Sequence, residues 1–131
     1  MTFESLMRKA EKSLGAAQVL LDSGFGDDAC SRAYYSMFDA ARAALIASSA
    51  PVQTETIRTH SGMIAMFNLY VIKPGFLPKF TARTLGIAQH ARLVADYDGE
   101  FIDELDAAQT VAWAVEFLDA VRTAFEPSAK T

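Results

Sequence analysis

The 131-residue sequence predicts an all-α bundle of five helices. Three observations carry that fold class. Apolar side chains recur at three- and four-residue intervals nearly throughout, no segment alternates strictly as a strand does, and Gly, Pro, Ser and Asp punctuation separates five stretches. The first helix is predicted over Phe3–Asp22, with Leu6, Ala10, Leu14, Ala17 and Leu21 on one face, and Ser23-Gly24-Phe25-Gly26 ends it. The second runs over about Asp28–Ser48. The acidic pair Asp27-Asp28 suits its positive end, and it closes before Pro51. Thr59 can cap a third helix that continues through Met63, Met66, Phe67 and Tyr70 to Ile72, where Lys73-Pro74-Gly75 stops it. Pro78 suits the first turn of a fourth, which reaches Tyr97 and breaks at Asp98-Gly99. Asp103 can cap the fifth, which carries Val111, Ala114, Val115, Leu118, Val121, Ala124 and Phe125 and ends at Pro127.

Size and an apolar fraction of 51% suit one domain over residues 1–131, with an ordered core from about 3 to 126 and no need of metal or disulfide staples. The single cysteine, Cys30, cannot form an intramolecular disulfide, so a reduced, cytoplasmic setting is expected. Glu4, Arg8, Lys9, Glu11 and Lys12 interrupt the N-terminal stretch, and the uncharged Thr59–Ile72 segment is too short to span a bilayer, so no signal or membrane segment is expected.

Charge is distributed unevenly. No Asp or Glu lies between Thr56 and Ala95, a stretch that holds Arg58, Lys73, Lys79, Arg83, Arg92 and both histidines, His60 and His90. An even spread of the sixteen acids would place about five in those forty positions. Seven Lys/Arg and all sixteen acids fall elsewhere. A local anion-seeking surface is therefore predicted on a chain whose net charge is −4.

Two helices carry polar patterns with alternative readings. On helix two, Arg32, Ser36 and Asp39 share one side, beside a core stripe of Ala29, Ala33, Tyr34, Met37, Phe38, Ala41 and Leu45. That line is either a solvated face or the polar wall of a substrate-binding cleft. Tyr34 and Tyr35 fit either reading, since each ring can fill a core while its hydroxyl needs a partner. On helix four, Arg83 and His90 return to one face but sit roughly 10 Å apart along the axis. Arg92 and Asp96 are one turn apart, close enough for an ion pair, which serves either as a structural bridge or as an arginine oriented toward phosphate.

Ala33-Tyr34-Tyr35-Ser36-Met37-Phe38-Asp39-Ala40-Ala41, then Thr59-His60-Ser61-Gly62, then Arg92-Leu93-Val94-Ala95-Asp96-Tyr97-Asp98 resemble successive signatures of the HEPN superfamily, in particular its small stand-alone prokaryotic branch. The resemblance covers almost the whole chain. It implies an up-and-down bundle, usually a homodimer, and an RNA-acting protein. Many relatives are metal-independent endoribonucleases, often toxins paired with a small nucleotidyltransferase-type antitoxin; others are inactive modules that bind a nucleotide, RNA or a partner protein. The nuclease branch places a histidine after its arginine. Matched on the signature, Arg92 takes the arginine position and Tyr97 that of the histidine, with Arg83 and His90 as a second, upstream pair of suitable spacing.

Cleavage of RNA by its own 2′-hydroxyl requires a base, a proton donor for the leaving oxygen and a cation for the charge on phosphorus. Arg92 can supply the cation, with Asp96 orienting it. Tyrosine is a poor base at neutral pH, so Tyr97 would position substrate and a histidine would carry the proton, His60 or His90. His60 can equally be a hydrogen-bonder within its turn. Tyr97, Phe80 and Tyr70 can stack on an unpaired base or fill core. No zinc constellation, Gly-rich phosphate loop or hydrolase elbow is present in the sequence, so no cofactor or metal is expected.

Overall fold

A computed structural model describes residues 1–51, 53–97 and 101–125, apart from the side chains of Glu55 and Tyr97. The predicted breaks at Asp98-Gly99 and Pro127, and the side chain of Tyr97, lie outside the described residues. Five α-helices follow in order: α1 Phe3–Asp22, α2 Gly26–Ala47, α3 His60–Phe67, α4 Lys79–Tyr97 and α5 Glu104–Phe125. A 3₁₀ turn, Thr54–Thr56, precedes α3, and a π-helical turn, Asn68–Ile72, extends it. The described residues contain no strand.

Helix starts follow side-chain chemistry. Thr2 and Ser5 cap α1 reciprocally, each side chain bonded to the other's backbone N–H. The Thr59 hydroxyl accepts from Gly62 N at 2.9 Å, and an Asp103 carboxylate oxygen accepts from Leu105 N at 2.7 Å, as the sequence predicts for α3 and α5. Helix α2 begins at Gly26, two residues before the predicted start, and no side chain caps it. Asp27 in its first turn accepts from Ile102 N at 2.7 Å, joining the α4–α5 connection to the start of α2.

Helix α2 is the centre of the bundle and packs on α1, α3, α4 and α5. Its alanines explain why so many neighbours fit: Ala29, Ala33, Ala40, Ala41, Ala43 and Ala44 are all fully buried, and small side chains let backbones approach closely. Gly26 belongs to the same device, because a Cβ there would lie 3.3 Å from that of Ala107 on α5. Larger residues fill the remaining core. Phe67 and Phe117 meet with ring centroids 5.7 Å apart, beside Leu6, Met7, Leu85 and Val121.

Two further expectations change. The segment predicted as one α-helix through Ile72 ends in a π turn, with Lys73 N reaching back to Asn68 O at 2.9 Å. On α5, Phe117 is fully buried, whereas the predicted core residue Val115 is 43% exposed. Both residues fit a helical period, and the face that α5 turns to the bundle, where Phe117 meets Phe67, decides between them.

Candidate functional site

Helix α4 turns Thr81, Leu85 and Ala88 inward at helical spacing, and the next position on that stripe is Arg92. An arginine stands where the pattern calls for an apolar side chain. It is only 8% exposed. Its Cζ lies 5.4 Å from the centre of the Tyr34 ring and 5.7 Å from that of Tyr35, so two aromatic faces of α2 hold the cation. Arg92 Nη1 lies 3.4 Å from Asp96 Oδ2, while the other oxygen, Oδ1, accepts from Ser31 Oγ at 3.0 Å. Asp96 thereby ties the end of α4 to α2 and fixes the orientation of the guanidinium. Arg92 Nε is buried without a hydrogen-bond partner.

His60, the first residue of α3, faces the same tyrosine. Its Nδ1 is 2.6 Å from the Tyr34 hydroxyl, its ring stacks on Tyr34 at 5.5 Å between centroids, and Phe38 lies at 4.6 Å. Burial, then the charge of Arg92, push the His60 pKa below its ordinary value, so the ring is neutral at pH 7. Burial raises the pKa of Tyr34, which keeps its hydroxyl protonated. The position of His60 depends on local fit at Gly62: a Cβ there would come within 2.8 Å of Thr59 Oγ1, the capping oxygen of the same turn. Only glycine leaves that cap intact.

The structure therefore brings together Arg92, Asp96 and His60 with Tyr34, Tyr35 and Ser31. Arg83 and His90 do not join them. Nine positions of helix put Arg83 about 180° around α4 from Arg92. Both residues of the upstream pair are exposed, and His90 lines a groove between α4 and α5 with Ile87, Val94, Phe101 and Trp113.

The predicted polar line on α2 divides. Arg32 is exposed and borders a cleft of about 530 Å³ with Ser31, Tyr35 and Asp96, next to the Arg92 pair. Ser36 and Asp39 are buried, neither a solvated face nor part of that cleft. Ser36 Oγ donates to Ala10 O of α1 at 2.7 Å. Asp39 lies 3.7 Å from Arg42, and burial raises its pKa against the opposing pull of Lys9 and Arg42. The reason is that α1 covers this side of α2, so polar residues there serve the helix pair.

Sequence reasoning placed Tyr34 and Tyr35 only as ambiguous aromatics and left out Ser31. The available signal was their spacing, since Ser31 and Tyr35 are one turn apart and share a side of α2. Cys30 is a buried thiol whose pKa is raised by burial, which makes it unreactive. Among the described residues, no group of three or more His, Cys, Asp or Glu side chains could hold a metal ion, and no helix is long and apolar enough to cross a membrane.

Comparison with known proteins matches the sequence to a family. The family model described as "HEPN domain" matches residues 3–124. A UPF0332 protein of Gloeobacter violaceus is 35% identical over 88% of this chain and 89% of its own length. Two proteins of Methanocaldococcus jannaschii carry the name "Putative toxin". One is 29% identical over 94% of this chain and 88% of its own length, the other 40% identical over 72% and 61%.

Proposed function

Because the chain belongs to the HEPN domain family, we propose that it is a toxin-like, RNA-acting protein that cleaves RNA without a metal ion at the Arg92–His60 site. The single observation that carries this reading is Arg92 itself. A cation on the core stripe of α4, held between two tyrosines and one carboxylate, is oriented to meet an anion at the end of that helix. The toxin-named relatives support the same class.

The chemistry needs a proton carrier at the position where the signature offers tyrosine, and His60 supplies it from α3. When Nδ1–H donates to the Tyr34 oxygen, Nε2 is a base that takes the 2′-hydroxyl proton. The 2′-oxygen then bonds to phosphorus, the bond to the 5′-oxygen breaks, and the products are a 2′,3′-cyclic phosphate and a 5′-hydroxyl. Arg92 stabilises the charge that gathers on the phosphate oxygens, and Asp96 keeps its guanidinium in place. The proton for the 5′-oxygen comes from water or from the imidazolium left by the first step.

A homodimer belongs to the same proposal, and so does a paired antitoxin of the small nucleotidyltransferase type. Phe101 and Leu105, 92% and 81% exposed, are apolar side chains that such an interface would cover. A second reading, a catalytically silent module that binds a nucleotide, is favoured by one feature: Tyr97 in place of the signature histidine. Incubation with mixed cellular RNA in EDTA separates the two. Cleavage lost in His60→Ala and kept in His90→Ala supports the nuclease, whereas loss in His90→Ala alone returns the activity to Arg83 and His90. No cleavage, with saturable nucleotide binding, establishes the silent module.

A further inference from the structure

His60 also borders a second hollow, of about 230 Å³, which shares no lining residue with the cleft beside Asp96. Arg42, Arg58, Thr54 and Phe38 line it, and among the described residues its lining contains no carboxylate. Arg58 is exposed and has no ion-pair partner among the described residues. Arg42 lies 3.7 Å from Asp39 and also donates from Nη2 to Met1 Sδ at 2.9 Å. Thr54 is 3% exposed, and its hydroxyl is buried without a hydrogen-bond partner. With no surface open to the hollow, that hydroxyl is a cost to folding and not a ligand contact. Arg42, Arg58 and the half-buried His60 thus border one hollow whose described lining holds no acid.

We infer that this hollow is a second phosphate site, taking a backbone phosphate of single-stranded RNA that flanks the one held at Arg92. The anion site stands on the geometry alone; only the identity of the strand rests on the proposed RNA function. Phosphate is the fitting chemistry because it accepts from planar guanidinium forks. A free nucleotide fits less well. Among the described residues no Asn, Gln, Asp or Glu lines the hollow to read a base edge, whereas Ile57, Met63 and Phe38 offer apolar contact to a ribose. His60 borders this hollow and, through Tyr34, the Arg92 site, so one strand passing the histidine would meet both cations.

The test uses the full chain and a 2′-O-methyl RNA octamer, which lacks the nucleophile, so that absence of nuclease activity cannot affect the result. Binding is titrated by fluorescence anisotropy from 50 to 300 mM salt, with AMP as a second probe. Arg58→Ala is expected to weaken octamer binding about fivefold or more at low salt and to reduce the slope of log K against log salt by about 0.7, one single-strand phosphate contact. Unchanged octamer affinity and slope in Arg58→Ala would overturn the site. Equal weakening of AMP and octamer would overturn the strand assignment, leaving a mononucleotide pocket.

Discussion

Arg92 is the residue on which the reading turns, and its surroundings make a prediction about stability as well as function. Burying Nε without a partner costs about 1–3 kcal/mol, while each aromatic contact returns about 0.5–1 kcal/mol and the half-exposed Asp96 adds little. Arg92→Met should therefore change unfolding free energy by less than about 1 kcal/mol in urea titration. A loss of several kcal/mol would make the arginine a structural bridge. His60 adds a pH signature. Its folded pKa lies below the unfolded value near 6.5, so the unfolded chain binds the proton first as pH falls. The stability associated with neutral His60 is complete above that value and is lost as pH drops from about 6.5 toward the folded pKa. Thermal melts between pH 5 and 7.5 should show this slope, and His60→Gln should flatten it. Asp39, whose folded pKa is raised, acts in the opposite sense, so the His60 contribution is read as the difference between the two proteins.

Helices were legible where local chemistry sets them. Thr59 and Asp103 cap as their sequence positions predict, because a cap depends only on neighbours within the turn. What local chemistry could not show is which neighbour covers a face. Ser36 and Asp39 look solvent-facing on α2 until α1 lies over them, and Val115 and Phe117 compete for the core until the face that α5 turns to the bundle decides between them. The same limit applied to the site. Arg92 and Asp96 were legible as a pair one turn apart, whereas His60, thirty-two positions away in sequence, reaches them only through Tyr34. Gly62 links helix to site in one residue. Gly62→Ala would press a methyl group against the Thr59 oxygen and should cost about 1 kcal/mol, the value of an N-cap, measured by thermal or urea unfolding. An unchanged midpoint would mean that the turn rearranges freely.

Across the molecule, the acid-free block sorts into two roles. Lys73, Lys79 and Arg83 are exposed, whereas Arg92 and Arg58 stand at the two anion-receptive places near His60. A chain that is acidic elsewhere confines attraction to that short region, which suits an unpaired strand better than an extended duplex. Assembly bears on the same surface, since a two-fold axis would double the Arg92 end of α4. Sedimentation equilibrium should give twice the 14.2 kDa chain mass, and a monomer at micromolar concentration would remove the proposed interface. The most direct measurement is RNA cleavage in excess EDTA by the unmodified chain beside Arg92→Ala. Cleavage to 2′,3′-cyclic phosphate ends that survives EDTA and falls at least about a hundredfold in the variant is the expected result, the usual size for loss of a charge-stabilising donor. Equal cleavage by both proteins would contradict it.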